Sequence, residues 1–257
     1  MIILTVQAQP DLTAFGYQVI IVDYDNQEDL RYNLRGVNLV ISTVSGNPQI
    51  NLIDAAAHSG VQRFVPAEFE GPPARRPRHD PLDRGKAASL ERLRTWTRSS
   101  RCDMKFTIFT CGVFFERFAR GGLASVGVGN STGANYQGAY LMDIGSSTAE
   151  IVERTAAGRP IYISLVSVND VGRFVAAALE LDITSWPGEF RMAAERISVT
   201  EILQWAEAIK GGKWPSVSTL RLTLITLQEH SSPPTSSKHE TFLPTSSMPT
   251  TTKTTQK

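Results

Sequence analysis

Lys86 is the residue whose type and position in this sequence best suit proton transfer. It stands near the start of a helix predicted over about residues 83–97, and Lys105 is the only other lysine among the first 200 residues. The positive end of a helix dipole does not favour a cation at that place. A lysine in a cleft can lose hydration and act as a proton donor. The alternative interpretation is a solvated residue on the helix surface.

A cluster of arginines suggests a second kind of chemistry in the segment GPPARRPRHDPLDRG, residues 71–85. It contains Arg75, Arg76, Arg78 and Arg84. A guanidinium suits phosphate recognition because its donors form a planar fork. A mobile, solvated surface loop is the alternative interpretation of this segment.

Cysteine and histidine chemistry is not indicated. Cys111 ends an apolar run and has no histidine partner in view, so we expect a core residue rather than a nucleophile. None of the four histidines stands at metal-ligand spacing, and no metal site is expected. Two cysteines cannot form a disulfide framework, which favours a reducing cytoplasmic location.

Two common catalytic motifs are missing from the sequence, and the spacing of a third stands in the wrong context. No G-x-G-x-x-G, the motif that cradles a pyrophosphate at a helix start, occurs in the first 60 residues. Gly127-x-Gly129 lacks the flanking strand and helix. No tyrosine is followed by a lysine four residues later. The G-x-S-x-G spacing occurs at residues 129–133, but it lies in a Gly-rich, loop-like segment and not at the strand-to-helix turn that makes a nucleophile elbow. We therefore expect these residues to lack a pyrophosphate cradle.

The elements that must position these residues alternate between apolar strands and amphipathic helices. Near-continuous apolar runs, typical of strands buried on both faces, occupy residues 2–6, 18–22, 38–43, 63–66 and 105–110. Such alternation predicts an α/β fold with a parallel sheet. Ligands of such sheets bind beyond the carboxyl ends of the strands, here after Thr43, Val65 and Thr110. We expect Lys86 to face that place.

Signals for helix ends accompany the strands. Asp25 begins a D-x-x-E capping box, and Asn47 can cap the next helix. In the second half, helices are predicted at about 147–157, 169–181 and 199–209. The last of these starts with the S-x-x-E box of Ser198.

The composition excludes several classes of protein. A hydrophobic share of 41% is enough for a core, and 26 basic against 25 acidic residues argue against binding nucleic acid through phosphate contacts. No apolar run reaches the roughly 18 residues that cross a bilayer, and the first residues make a poor signal peptide. We expect a cytoplasmic protein with a small-molecule substrate and no membrane or nucleic-acid partner.

Several segments together resemble the NmrA-like and isoflavone-reductase-like proteins, an atypical branch of the short-chain dehydrogenases. They are GYQVIIVDYDNQEDLRYNLRGVNLVISTVSG, GVQRFVPAEFEG, KFTIFTCGVFFERF, SLVSVNDVGRFVAAALEL and EFRMAAERISVTEILQWAEAI. The resemblance covers about residues 1–213 and implies a Rossmann-like domain that binds NADP or NAD, with a small substrate lobe beside it. We accordingly expect a partial dinucleotide-binding domain at 1–120, an α+β lobe at 121–214 and a Ser/Thr/Pro-rich disordered tail at 215–257.

The resemblance also implies functional positions at the strand ends. Those expected against the adenosine and the cofactor bridge are Thr43, Val44 and Ser45; those on the nicotinamide side are Pro66, Glu68 and Phe69; those lining the same pocket are Cys111, Gly112 and Val113. Lys86 aligns with the lysine that serves the reductases as general acid and cofactor contact.

The sequence departs from the family at both ends. IILTV matches the family's second strand, so the first strand, its glycine loop and its helix have no counterpart, and Val6–Gln9 stands where the family often has a basic residue. The end of the substrate lobe is lacking as well: after GGKW the family continues with more helix, whereas this chain enters its Ser/Thr-rich tail. We expect a truncated chain that binds NADP or NAD weakly if at all. Three functions stay open: an impaired reductase, a non-catalytic NAD(P) sensor with a protein partner, and an inactive fragment.

Overall fold

Strands and helices alternate through the first half of the chain. The computed structural model describes residues 1–80, 83–130, 132–214 and 216–218. The elements of the first half are β1 (Ile2–Thr5), α1 (Pro10–Ala14), β2 (Gln18–Ile21), α2 (Gln27–Asn33), β3 (Leu39–Ile41), α3 (Asn47–His58), β4 (Arg63–Val65), α4 (Lys86–Thr97), β5 (Lys105–Phe106) and β6 (Ile108–Thr110). β1 pairs with β2, and β3, β4 and β5 form a second sheet, with all pairs parallel. The predicted α/β fold with parallel strands is confirmed.

The second half contributes short strands and two long helices. They are β7 (Val113–Phe114), β8 (Met142–Asp143), β9 (Thr148–Ile151), β10 (Tyr162–Val166), α5 (Val168–Leu179), β11 (Glu189–Arg191), β12 (Glu195–Ser198), α6 (Val199–Lys210) and β13 (Ser216–Ser218). β10 lies between β12 and β7, β9 lies between β13 and β8, and β11 pairs in parallel with β6. The predicted division near residue 120 stays a prediction.

Two predicted elements were wrong. The run 105–110 is broken at Thr107, whose hydroxyl donates to the Pro187 carbonyl (2.8 Å) and accepts from the Arg63 guanidinium (3.0 Å). The chain therefore changes partner there, from β4 to β11. The helix predicted at 147–157 is wrong, because residues 148–151 form strand β9, in which Ala149 and Ile151 are buried and Thr148 and Glu150 are exposed, a period of two.

Helix caps differ in part from the prediction. The cap of α2 is Asn26 rather than Asp25, and its side chain accepts from the backbone N–H of Glu28 and Asp29. Gly46 caps α3, and Asn47 is its first residue. The capping box of α6 is confirmed, since Ser198 accepts from the N–H of Glu201 and the Glu201 carboxylate accepts in return.

One short strand lies at the start of the tail that is predicted from residue 215. Residues 216–218 form β13, which pairs in parallel with β9. Residue 215 and the rest of the predicted tail, 219–257, lie outside the described residues.

A cavity of about 590 Å³ lies between β1 and β3. Within the described residues β1 pairs only with β2 and β3 only with β4, so both strands present an unpaired edge. The lining carries no charged side chain and includes Leu4, Leu39, Val40, Thr43, Val44 and Leu52. Tyr24 lines it as well; its hydroxyl donates to the Leu4 carbonyl (3.3 Å), and burial raises the pKa of Tyr24.

Candidate functional site

The carboxyl ends of β3, β4 and β6 meet at one edge of the structure, which we call the carboxyl edge. The Ser42 N–H, just after β3, donates to the Val65 carbonyl at the end of β4 (2.8 Å). The segment after β4 then reaches β6, because the Glu70 carbonyl accepts from the N–H groups of Cys111 (2.9 Å) and Gly112 (3.1 Å). Backbone hydrogen bonds therefore hold the three strand ends together.

Lys86 is buried at the carboxyl edge and is not the solvated helix residue of the alternative interpretation. It is the first residue of α4, and its side chain is only 6% exposed. Its Nζ contacts Oε1 of Glu70, whose side chain is 41% exposed. The positive end of the helix dipole disfavours a cation at the first turn, and the contact with the Glu70 carboxylate offsets this effect.

The arginine segment is tied to the protein by ion pairs. The Arg76 side chain is only 10% exposed; its guanidinium forms two contacts with the fully buried Glu68 carboxylate and lies 3.4 Å from Asp83. Burial opposes the charge of Arg76, but the hydrogen bond and ion pair with Glu68, together with the charges of Glu70 and Asp83, raise the pKa of Arg76. Arg84 lies 3.4 Å from Glu70. Both guanidinium groups are therefore paired with carboxylates of the protein itself, whereas Arg75 and Arg78 are exposed.

The residues after β3 approach Lys86 through two helix starts. Gly46 caps α3 and Gly85 caps α4, both with positive φ (72° and 77°). A Cβ on Gly85 would lie 3.0 Å from the Gly46 Cα, so the two turns are in contact. Thr43, Val44 and Ser45 directly precede Gly46 in the sequence; Thr43 is exposed, and the other two are half-buried. The structure thus brings these three residues and Lys86 to the same edge.

The residues after β4 are mostly packed. Pro66 is buried, and the N–H of the next residue, Ala67, donates to the Gln49 side chain (2.7 Å). Glu68 is fully buried in its ion pair with Arg76. The Phe69 ring stacks on Phe109 with centroids 6.1 Å apart. The residues after β4 are therefore packed inside the protein beside the site, and they line little open surface.

The residues after β6 are constrained as well. Cys111 is fully buried, and desolvation, with the Glu70 carboxylate second, raises its pKa from 9.0 to about 12. Gly112 has a φ of +79°, and a Cβ there would lie 2.4 Å from the Ser164 carbonyl oxygen. Val113 is half-buried in β7 and pairs with Leu165. Cys111 is thus a protonated core thiol beside the site.

Sequence reasoning missed Glu70 and two residues of the second half. Arg117 lies within electrostatic reach of Glu70 and Arg84, and its guanidinium stands over the Tyr140 ring at 5.4 Å from the centroid. Burial lowers the pKa of Arg117 and raises that of Tyr140. The pair of Glu70 and Lys86 could not be predicted from local spacing, because the two residues stand 16 positions apart in the chain. The acidic type of Glu70 within EFEG was the one signal that could have found it.

Two features are absent from the described residues. None of the described helices is both long and apolar enough to cross a lipid bilayer. In the same ranges, no group of three or more His, Cys, Asp or Glu residues is arranged so that it could hold a metal ion.

Known protein sequences resemble this chain over part or most of its length. The sequence model of the NmrA-like family matches residues 5–215. The chain is 26% identical over 182 residues to Oxidoreductase BOA1 of Botryotinia fuckeliana, covering 69% of this chain and 53% of that protein. It is 38% identical over 60 residues to Isoflavone reductase homolog A622 of Nicotiana glauca, covering 22% of this chain and 19% of that protein. It thus spans about half the length of the first relative.

Solved structures share the fold. Leucoanthocyanidin reductase from Vitis vinifera, in a ternary complex, has a TM-score of 0.57 at 19% identity, covering 84% of this chain and 68% of that chain. Triphenylmethane reductase from Citrobacter sp., complexed with NADP(H), has a TM-score of 0.56 at 16% identity, covering 85% and 69%. These similarities show a Rossmann-like α/β fold.

Proposed function

Because the chain belongs to the NmrA-like family, we propose that it reduces a small organic substrate with NADPH or NADH, in the cytoplasm. The observation that carries this proposal is the Lys86 ammonium, buried against Glu70 at the carboxyl edge. A proton donor at the carboxyl ends of parallel strands stands where ligands bind in such sheets. The similarity to an oxidoreductase and to NADP(H)-complexed reductases supports the same reaction class.

The described residues fit the reacting end of a nicotinamide cofactor better than its pyrophosphate. Lys86 contacts Glu70, which follows β4, where the resemblance implies the nicotinamide side; Thr43, Val44 and Ser45 follow β3, where it implies the adenosine and the cofactor bridge. The turn after β1, which matches the family's second strand, offers no substitute for the glycine loop: residues 6–9 contain no glycine, and α1 has five residues and begins with Pro10, which has no N–H. Dinucleotide folds bind the pyrophosphate through N–H groups at a glycine-turned helix start.

We therefore propose that NADP or NAD binds weakly to these 257 residues. Hydrogen bonds to a charged group contribute roughly 1.5–3 kcal/mol each. Without two or three of them, binding is weaker by about 3–9 kcal/mol, or about two to six decades in Kd. Arg76 does not make up the difference, because its guanidinium is engaged by Glu68.

When bound, the nicotinamide supplies a hydride. The Lys86 ammonium then donates a proton to the substrate atom that has become negative: an N–H bond of Lys86 breaks, the new bond to the substrate atom forms, and a neutral amine is left. Burial keeps water away from the ammonium and strengthens its interaction with the developing charge. General acid catalysis of this kind contributes about 10²- to 10⁴-fold to a rate.

Calorimetric titration with NADPH, followed by assays of NADPH oxidation with aromatic carbonyl compounds, tests the proposal. We expect a Kd above about 100 μM, because the pyrophosphate lacks its cradle. Lys86→Gln should reduce the turnover of any compound that is reduced by at least about 100-fold, whereas Lys105→Gln, an exposed control, should not change it.

Two outcomes would contradict parts of the proposal. Low-micromolar NADPH affinity would show that the missing cradle does not matter. NADPH binding without turnover, unaffected by Lys86→Gln, would indicate a cofactor sensor that acts on a protein partner.

A further inference from the structure

We propose that Glu70 is the positioning residue of the carboxyl edge: it holds the Lys86 ammonium in place and charged, and it returns a proton to it. This inference rests on the proposed role of Lys86 as proton donor. It gives a task to a residue that neither the sequence motifs nor the family resemblance identified.

Lys86 requires an anionic partner because of its surroundings. Its side chain is almost completely buried at the first turn of α4. Burial of a charge costs several kcal/mol even after relaxation, and the positive end of the helix dipole adds to that cost. Without a nearby anion, a lysine in this position loses its proton or turns towards solvent.

Glu70 provides this anion, and the neighbouring acids are engaged elsewhere. Oε1 of Glu70 contacts Lys86 Nζ. The Glu68 carboxylate is held by both terminal nitrogens of Arg76. The Asp83 carboxylate accepts from the backbone N–H of Ala87 (3.0 Å) in the first turn of α4. Charge compensation of Lys86 therefore depends mainly on Glu70.

The position of Glu70 is fixed from its backbone outward. Its carbonyl accepts from the N–H groups of Cys111 and Gly112 at the end of β6. Its carboxylate also lies 3.4 Å from an Arg84 nitrogen and 3.9 Å from an Arg76 nitrogen. These contacts restrict the directions that the carboxylate can take, and so they define where it holds the ammonium.

Glu70 is also the more exposed member of the pair. Its side chain is 41% exposed, against 6% for Lys86. After Lys86 has donated a proton, its neutral amine must regain one. The Glu70 carboxylate takes a proton from a hydronium ion of the solvent, whose O–H bond breaks to leave water; the new carboxyl O–H bond then breaks as an N–H bond of Lys86 forms, which restores the ammonium and the carboxylate.

Competitive acetylation of the full 257-residue chain tests the inference. Acetic anhydride reacts with the neutral amine, and mass spectrometry gives the labelling of Lys86 relative to the exposed Lys105. The measurement covers about pH 6 to pH 10, where lysine reactivity changes most. The variants are Glu70→Gln, Glu70→Asp and the control Glu91→Gln. Glu91 lies on α4, the helix of Lys86, and its carboxylate pairs with Arg94 (3.3 Å) instead of Lys86.

We expect Glu70→Gln to raise the Lys86 to Lys105 ratio at about pH 8 by at least about tenfold, because an opposite charge in contact changes a protonation equilibrium by about one to three decades. Its labelling curve should move to lower pH. Glu70→Asp keeps the charge one methylene shorter and should give an intermediate ratio. Glu91→Gln should stay within about twofold of the wild type because it leaves the Lys86 contact intact.

Equal ratios in Glu70→Gln and Glu91→Gln would overturn the inference. So would labelling that rises for Lys86 and Lys105 alike together with a lower Tm, since a purely structural role predicts that pattern. Should Glu70→Gln not fold, Glu70→Asp decides: a ratio above that of the wild type supports the inference, and an unchanged ratio overturns it.

The labelling needs neither cofactor nor substrate. A changed Lys86 ratio in a protein that shows no reductase activity would therefore count against the proposed function alone. An unchanged ratio in an active reductase would count against the positioning role alone.

Discussion

Replacement of Glu68 by glutamine is expected to lower the free energy of unfolding by about 3 kcal/mol. The Glu68 carboxylate is fully buried and makes two contacts with the Arg76 guanidinium. Glutamine keeps the shape and one acceptor oxygen but removes the charge, so one charge-assisted hydrogen bond, worth roughly 1.5–3 kcal/mol, is lost. The buried guanidinium also loses its main counter-charge, which Asp83 at 3.4 Å and Glu70 at 3.9 Å replace only in part.

Urea unfolding followed by circular dichroism measures this change. The matched variant Arg76→Met with Glu68→Leu removes both charges together and should lie within about 1.5 kcal/mol of the wild type, because it leaves no unpaired buried charge. A loss below about 1 kcal/mol in Glu68→Gln would refute the reasoning, since it would mean that water or another group compensates Arg76. A double variant as unstable as the single one would show that shape rather than charge matters at this position.

Two further predictions concern the end of β6. Gly112→Ala should destabilise the protein by at least about 2 kcal/mol more than Gly60→Ala, because the new Cβ at residue 112 would lie 2.4 Å from the Ser164 carbonyl oxygen. Gly60 is the control, since it has a similar φ of +77° but a Cβ there meets nothing within 4 Å. Equal losses of stability in urea unfolding would contradict this. Because burial and Glu70 raise the pKa of Cys111 from 9.0 to about 12, the folded state keeps a proton that the unfolded state releases, and stability should fall as the pH rises from 9.0 towards 12. Cys111→Ala should show a shallower fall, and equal slopes for the two proteins would contradict the assignment.

Local pattern is enough to predict most of the fold. The runs at 2–6, 18–22, 38–43 and 63–66 each form a strand. The predicted burial on both faces is right for β4 alone, because β1 and β2 contain no buried residue and β3 contains one. The capping box at Ser198 is confirmed because it depends on residues three apart. The strand at 148–151 was missed although its alternation is visible in the sequence, and a helical period was assigned instead.

Tertiary contacts decide where local patterns compete. The run at 105–110 has no local feature that would break it, yet Thr107 bonds to Arg63 and to residue 187, which lies 80 positions away, and the strand changes partner there. Similarly, the arginine segment has the composition of a solvated loop. It is tied down because Arg76 enters the protein to meet a buried carboxylate.

The sequence by itself determined the reaction class to expect and the strand ends at which to look, since the family pattern and the rule for parallel sheets both depend on residue order. It also singled out Lys86 as unusual. Only the tertiary structure showed that this lysine is buried, that Glu70 is its partner, and that Glu68 pairs with Arg76. The physical reason is that burial and charge pairing arise when segments separated in the chain meet, and residue type and local spacing do not determine which of them meet.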